Sequence, residues 1–540
     1  MSTIVETTSR LSTSLRHTDE DIIPLGPLSS QPGSVPLPKD LAAQASLTGD
    51  DGPQPAKAYT RLRQCAVVTQ LAGVNFTTSA SQGLVVIGLP AITKAINLPA
   101  DLAFWPASVT SLATASTLLL AGAIADVTSP RMIGLLGCLL TGVFMLACGA
   151  VQTGEQMVVM RALQGLGSAC HFAASISLIT AAVPSGRGRN IAFATWGLSQ
   201  PLGFSFGLVL GGVLVETLGW RAGFFLYGGL TMVLLGIGVW ALPTGVSGVL
   251  RGEMGRQLKT KVDWIGAGLA SAAMTFASYL CAILSTDIYR IKNADSIIFL
   301  CLAVGCLAGF IVWMHYQVKW DRPALIPNNL WKNLTFSSMC ATITMSFAVI
   351  TCLELFASLF FQEIQKLSEL QAAIRILPSL IVGVLLNLTM GLFVNKVPAV
   401  LIVIVSSILA AISPLLMAVI DPSTTYWANA FVAQLLQPVS CDCLITVGLI
   451  VVTEVFPKEK HSLAGAVFNT MYQFGTALGL AVMQIVSTLE TKKYEHRPRE
   501  DALMKGYRAS FWTMFAMMLS CAVIGGWGLR KTGKVGLKKD

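Results

Sequence analysis

Apolar stretches about twenty residues long recur through this 540-residue chain, and each is long enough to cross roughly 30 Å of hydrocarbon as a helix. They fall at 67–92, 104–125, 132–152, 157–182, 191–215, 221–242, 263–285, 297–316, 335–360, 371–395, 398–420, 427–452, 462–487 and 507–529. In hydrocarbon the backbone must satisfy its own hydrogen bonds, and runs of this length do so as helices rather than as the shorter strands of a barrel. The reading is an all-α polytopic membrane protein of about fourteen transmembrane helices, with the lipid bilayer as its surroundings. Charged residues make up 12% of the chain, where a soluble protein carries roughly a quarter. That shortfall excludes an ordinary water-soluble enzyme.

The net charge of +9, from 37 basic and 28 acidic residues, does not point to nucleic acid, because the basic residues flank the apolar runs. One set of loops holds Arg131, Arg187, Arg189, Arg251, Arg256, Lys259, Lys261, Lys319, Arg322, Lys332, Lys396, Lys458 and Lys460. The opposite short loops hold little beyond Lys94, Arg290, Lys292 and Lys366, and the loop at 488–506 mixes both signs. The positive-inside rule puts the basic set in the cytosol, and with it both termini. Residues 1–62, rich in Ser, Thr, Pro, Asp and Gly, read as a disordered cytosolic tail with no cleavable signal peptide. Residues 530–540 read as a basic cytosolic tail.

Enzyme and metal readings lack their motifs. The chain carries no GxxxxGK[ST] phosphate loop, no HExxH and no EF-hand loop, so no cofactor, bound metal or ATP-driven step is expected. Its five histidines are scattered, and His171, alone inside a span, reads as helix packing. The twelve cysteines lie in or at the edge of apolar runs, without zinc spacing or a disulfide framework.

Three local patterns recur in order at a nearly common offset of about 270 residues. Gly122-Ala-Ile-Ala-Asp126 is echoed by Gly391-Leu-Phe-Val-Asn395, and Leu163-Gln164 by Leu436-Gln437. Phe206-Gly207-x-x-Leu210-Gly211 is echoed by Phe474-Gly475-x-x-Leu478-Gly479. The chain therefore divides into a six-helix half at 63–242, linker loops with two extra helices at 243–334, and a second six-helix half at 335–529. Repeated halves with a site between them near the midplane are a common architecture for alternating access in secondary transporters.

On these residues the chain resembles the major facilitator superfamily over nearly everything after residue 62. Gly122-Ala-Ile-Ala-Asp126-Val-Thr-Ser-Pro-Arg131 is similar to that family's signature between helices two and three, with Ser129 and Pro130 where a Gly and an Arg are expected. The resemblance implies that Gly122, Asp126 and Arg131 form a conformational latch. Arg161-Ala-Leu-Gln164-Gly165-Leu-Gly167-Ser168-Ala169 resembles the fourth-helix signature closely. Gly203-x-x-x-Gly207-Leu208-x-x-Gly211-Gly212 resembles the fifth-helix antiporter motif, with Leu208 where the family has Pro. Together with Asp263-Trp264-Ile-Gly266 and Phe361-Gln362-Glu363, the fourteen-helix count looks like the fungal drug:proton antiporter branch of fourteen spans, near the aminotriazole-resistance-type proteins. That implies proton-driven export across the plasma membrane, with the vacuolar membrane as the alternative.

Charged and amide side chains inside the spans carry the chemistry. Arg161 is a permanent cation in an apolar helix, at a cost of about 2.5–3.5 kcal/mol by insertion scales unless it meets a partner or a wet cavity. Asp442 is the most deeply placed acid, and Glu354 lies within the run at 335–360. A carboxylate so placed is protonated or paired, which suits proton coupling by Arg161, Asp442 and Glu354. Gly203, Gly207 and Gly211 share one helix face and let another helix approach. Gln82, Gln200, Asn387, Gln434, Gln437, Asn469 and Gln473 are uncharged polar groups suited to lining a substrate cavity.

The expectation is a monomeric secondary transporter whose partners are protons and a small organic substrate, a drug, toxin or secondary metabolite. The alternative is a facilitative or proton-coupled carrier of a small inorganic solute such as a boron compound or ammonium. A receptor built on the same fold would need a longer cytosolic tail.

Overall fold

Caps and prolines set where the helices begin in the computed structural model, which describes residues 59–98, 104–184, 187–244, 254–286, 288–322, 324–393, 397–456 and 461–530. Helix α1 (Arg61–Ala95) starts behind Thr60, whose hydroxyl accepts from the Arg63 amide, so the first helix begins several residues before the apolar run at 67. Helices α2 (Trp105–Val127) and α3 (Pro130–Ala150) carry proline in the first turn, where the missing N–H has no intrahelical partner to lose. Thr153 caps α4 (Gly154–Ala182) through the Gln156 amide. Between α5 (Arg187–Thr217) and α6 (Trp220–Ala241) the chain turns at Gly219 with φ of 84°, a backbone region that favours glycine.

A short helix α7 (Met254–Lys261) leads into the hairpin of α8 (Trp264–Thr286) and α9 (Ala294–Lys319). The Asn333 side chain caps α10 (Leu334–Leu359), which runs on into a π turn at Phe360–Ile364. Then follow α11 (Glu369–Phe393), α12 (Ala399–Ala418), α13 (Ala430–Leu436), α14 (Val439–Val455), α15 (His461–Lys493) and α16 (Arg499–Gly528). The single span anticipated at 427–452 is interrupted between α13 and α14, where Pro438 cannot donate to the helix ladder.

Every regular element among the described residues is helical, and thirteen spans are long and apolar enough to cross a membrane, against the fourteen anticipated. The difference is α8: its described apolar stretch, Trp264–Ala277, is shorter than a full crossing. The tail at 1–58, Asn395 and the last ten residues lie outside the described residues.

Helices α1–α6 pack on one another, and α10–α16 do the same with matching pairs: α1 on α5 and α3 on α6 in the first half, α10 on α15 and α12 on α16 in the second. Without a hydrophobic drive between helices in lipid, such pairs depend on close packing, and glycines supply it. A Cβ added at Gly207 would lie 2.5 Å from Ala80 Cα of α1, and one at Gly203 would lie 2.8 Å from Phe76 Cα. In the second half a Cβ at Gly475 would lie 2.8 Å from Thr344 Cα of α10, and one at Gly479 2.6 Å from Ala348 Cα. The recurring Phe-Gly pattern is one helix contact built twice.

The halves meet along two seams, α2 against α15 and α5 against α11, with α1 also touching α10 and α11. Near the Ala95 end of α1, a buried cluster crosses between them and holds Leu84 and Ile87 with Phe356, Phe360 and Phe361. Phe104 stacks on Phe356 there at 6.0 Å between centroids.

Candidate functional site

Arg161 sits two turns into α4 and is 0% exposed, which excludes a side chain snorkelling to the membrane edge. Its guanidinium is caged by neutral acceptors. Nε donates to the Pro106 carbonyl (3.0 Å), Nη1 to Gln164 Oε1 (2.9 Å) and Ser81 Oγ (3.3 Å), and Nη2 to Gln82 Oε1 (2.9 Å). Gln164 Nε2 also donates to Ser81 Oγ at 3.0 Å, so α1, α2 and α4 are tied together at one point. The Phe224 ring lies 6.0 Å from the guanidinium carbon. Among the described residues no carboxylate pairs with this cation. Gly165 and Gly167 allow the crowding around it: a Cβ on Gly165 would press on Ala113 of α2, and one on Gly167 would lie 2.6 Å from the Thr141 amide of α3.

The second half mirrors this position with a different chemistry. By the Leu163-Gln164 and Leu436-Gln437 correspondence, Gln434 stands where Arg161 stands in the first half. It is 0% exposed, and neither amide atom has a described partner. Gln437, one turn on, donates to the Ile350 carbonyl at 3.4 Å and leaves its own Oε1 unpartnered. That bond turns the Gln434–Gln437 face toward α10, where Glu354 lies one turn beyond Ile350. Glu354 (8% exposed) has no described cation or hydrogen-bond donor. Asp442 (7% exposed) accepts from Asn387 Nδ2 at 2.9 Å, and Asn387 also donates to the Gly383 carbonyl at 3.0 Å. Glu354 and Asp442 lie on α10 and α14, which pack on one another and are joined by the Ser346–Ser440 hydroxyl bond at 3.1 Å. The first half thus holds a caged cation, the second two buried acids and two amides with spare hydrogen-bonding capacity.

Three direct side-chain hydrogen bonds join the halves among the described residues. Gln200 of α5 donates to the Tyr472 hydroxyl of α15. The Ser358 hydroxyl donates to the Val86 carbonyl (3.2 Å), and Gln362 Nε2 to the Ile87 carbonyl (2.9 Å), both near the Ala95 end. Gln473 is buried beside Tyr472, and Asn469 is half-buried one turn earlier on α15.

The remaining residues singled out in the sequence are more dispersed. Gly203, Gly207 and Gly211 all face α1, whereas Gly212 turns to α11 and would place a Cβ 3.0 Å from Leu370 Cα. Arg131 stays within its own half and caps α6, with Nη1 3.0 Å from the Leu242 carbonyl and Nη2 2.5 Å from that of Val239. A Cβ on Gly122 would meet open space, and the Asp126 side chain lies outside those described. His171 is buried, with its ring nitrogens 3.4 and 3.5 Å from the Gly134 and Leu71 carbonyls, a packing role.

Sequence reasoning missed Ser81, the Pro106 carbonyl, Ser358 and Tyr472. Ser81 adjoins Gln82 and Tyr472 adjoins Gln473, so a rule that extended each intramembrane amide to its polar neighbour would have found both. No such signal marks a backbone carbonyl.

Known proteins share this architecture. The family model of the Major Facilitator Superfamily matches residues 71–433 and 334–539, the second match starting at the first residue of α10. The chain is 35% identical over 527 residues to MFS-type transporter 1 of Pyricularia oryzae, covering 89% of this chain and 86% of that protein. It is 25% identical over 389 residues to the methylenomycin A resistance protein of Bacillus subtilis, with 71% and 79% covered. A bacterial homolog of the human lysosomal transporter Spinster, solved inward-facing and unoccupied, aligns with a TM-score of 0.62 at 13% identity, covering 88% of this chain and 98% of that one. At that identity the likeness shows the fold alone.

Proposed function

Because the chain belongs to the major facilitator superfamily, we propose that this multi-pass transporter exports small organic compounds in exchange for protons, in the manner of the fungal fourteen-span drug:proton antiporters. The observation that carries the reading is the pair of buried acids, Glu354 and Asp442, with no described cation beside them. An ionised carboxylate is costly at such a place, and a proton or a positively charged group on the substrate removes that cost. Loading the acids with protons from one side and releasing them to the other ties the rocking of the halves to a proton gradient. Arg161 holds the first half rigid around its cage, so the exchange of protons falls to the second half. Gln434 and Gln437 offer an unpartnered donor and two acceptors for the polar end of a substrate.

The loop charges support cytosolic termini, which makes the Ala95 end of α1 the outer end and its closed cluster an outer gate. The plasma membrane and a monomeric state belong to the same reading. That a relative is named a methylenomycin A resistance protein favours export over uptake.

The test is accumulation of labelled organic toxins and boric acid in pump-deficient yeast expressing the full chain, with and without a protonophore. A compound held at lower level only while the proton gradient stands supports the exporter. The fully buried Leu208 favours a second reading, a facilitative carrier, because it packs against Gly83 where a proline would have re-shaped α5. Accumulation that changes with expression but ignores the protonophore selects that one.

A further inference from the structure

The Phe361-Gln362-Glu363 motif sits where α10 gives way to the π turn at Phe360–Ile364, closed by the Gln365 amide on the Phe360 carbonyl at 3.1 Å. A π turn holds one residue more than the α-helix it interrupts, and such turns gather at functional sites. The chain leaves this one through Lys366, whose φ of 58° lies in the region that favours glycine. A side chain stays there only when its surroundings hold it.

Successive residues of this segment reach different elements. Gln362 donates to the Ile87 carbonyl of α1 and to the Ser358 hydroxyl, each at 2.9 Å, and Ser358 donates in turn to the Val86 carbonyl. Both hydrogen bonds that close this end therefore hang on the turn. Glu363 accepts instead from the Tyr507 hydroxyl of α16. Tyr507 is 3% exposed and meets the Phe356 ring edge-on at 5.5 Å, and Phe356 is the ring that stacks on Phe104 of the first half. Gln365 donates to the Pro422 carbonyl (3.2 Å) and accepts from Arg375 of α11, while Lys366 pairs with Glu500 of α16 at 3.0 Å. Two of these ties use a carboxylate. The Lys366–Glu500 pair is more than half exposed on both sides, where solvent leaves an ion pair worth little. Glu363 is half-buried, and among the described residues no cation pairs with it. On the elements packed against the turn, Arg375 lies over the Phe361 and Tyr426 rings, Lys505 over the Tyr494 ring, and Arg508 donates to the Ile420 carbonyl. Arg499 and Asp501 of α16 are exposed, Glu369 opens α11, and Glu354 of α10 is buried.

We propose that Glu363 is a pH-sensitive positioning residue of the outer gate. Ionised, its carboxylate fixes Tyr507 and the π turn in the arrangement that aims Gln362 and Ser358 at α1; protonated, it releases the turn and that end opens. A hydrogen bond to an ionised acceptor is roughly twice as strong as a neutral one, so a proton loosens this tie without abolishing it. The sign follows: the bond is complete at high pH and weakens as the pH falls through the titration of Glu363, so acid opens the end and alkali closes it. Glu363 is only half-buried at the closed end, whereas Glu354 and Asp442 are buried. The inference rests on the loop-charge reading of which end is outer, and it deepens the proton-exchange reading: an external proton opens the gate that stands before those two acids.

The experiment measures the width of that end by double electron–electron resonance on the full-length chain in nanodiscs. Spin labels are carried on p-acetylphenylalanine at Lys94 and Gln371, both exposed, so that the native cysteines stay in place. Distances are compared at about pH 8 and about pH 4, on either side of the carboxylate range. The open-to-closed ratio of the wild type is expected to rise about fivefold on acidification, the worth of exchanging a charged acceptor for a neutral one. Glu363→Gln is expected to be as open in alkali as the wild type is in acid, with no further response to pH. Tyr507→Phe keeps the ring, removes the donor and is expected to behave likewise, whereas Glu363→Asp keeps the charge and with it a pH response. A purely structural contact would lower the melting temperature of these variants without flattening the pH profile. A wild-type distribution that ignores pH overturns the proposal, as does a pH response that survives Glu363→Gln in protein that still melts cooperatively. Should that variant not fold, survival of the response in Tyr507→Phe overturns it instead. Failure of the yeast export assay with the pH response intact would remove the exporter reading and leave the switch standing.

Discussion

Arg161 shows how a single residue can be legible while its partners are not. A guanidinium within an apolar run stands out in any reading of the sequence, but of its four acceptors only Gln164 lies on its own helix; Ser81 and Gln82 come from α1 and the Pro106 carbonyl from α2. Arg161→Ala strips Gln82, Gln164 and Ser81 of their shared partner. At about 1–3 kcal/mol for each buried polar group left unsatisfied, the variant is expected to melt well below the wild type and to lose transport. Arg161→Lys keeps the charge but cannot fork to the same acceptors, so its melting temperature should fall between the two. A lysine variant as stable as the wild type would mean that charge alone, not the cage, holds the site. Glu354 and Asp442 were visible for the same reason as Arg161. That their helices α10 and α14 pack together was not, because helix pairing depends on how each is rotated, which a stretch buried on all sides does not encode in its periodicity.

At the scale of elements, spans are the most readable feature of a membrane chain, because hydrocarbon thickness fixes their length. Their ends are less so. Helix α1 begins at a threonine cap ahead of its apolar run, and α13 and α14 part at a proline inside one. Both signals are single residues that an averaged hydropathy window smooths away. The glycine stripe on α5 was legible as a face, and the structure supplies the surface opposite it. Gly207→Ala puts a methyl group against the Ala80 backbone and is expected to destabilise by about 1–3 kcal/mol through overpacking. Gly236 of α6 has open space where its Cβ would stand, so Gly236→Ala should stabilise by about 0.5–1 kcal/mol. Thermal melts of the two purified variants check the sign; a harmless alanine at Gly207 would refute the tight α1–α5 contact.

The whole molecule is two repeated halves held at one end by neutral hydrogen bonds and apolar rings. The hydrogen bonds run from side chains on one half to carbonyls on the other, far apart in sequence; Gln362 stands in a motif the sequence shows, but its carbonyl partner carries no such signal. Ser358 and Gln362 donate to Val86 and Ile87 across the closed end, and such bonds are individually worth about 0.5–1.5 kcal/mol. Gln362→Ala is therefore expected to shift the population several-fold toward the conformation open at the Ala95 end. A distance probe between the tip of α1 and the start of α11 would lengthen on average, and an unchanged distance distribution would show that the ring cluster alone keeps that end shut.

Exchange of substrate for protons is the central claim, and reconstitution tests it most directly. The full chain is placed in proteoliposomes under an imposed pH gradient, with the compound picked out in yeast as the tracer, alongside Asp442→Asn and Glu354→Gln. The account predicts uphill tracer movement in the wild type, its collapse on adding a protonophore, and loss of the uphill component in at least one of the two variants. Tracer that only equilibrates down its own gradient, indifferent to the protonophore and to both substitutions, would contradict it.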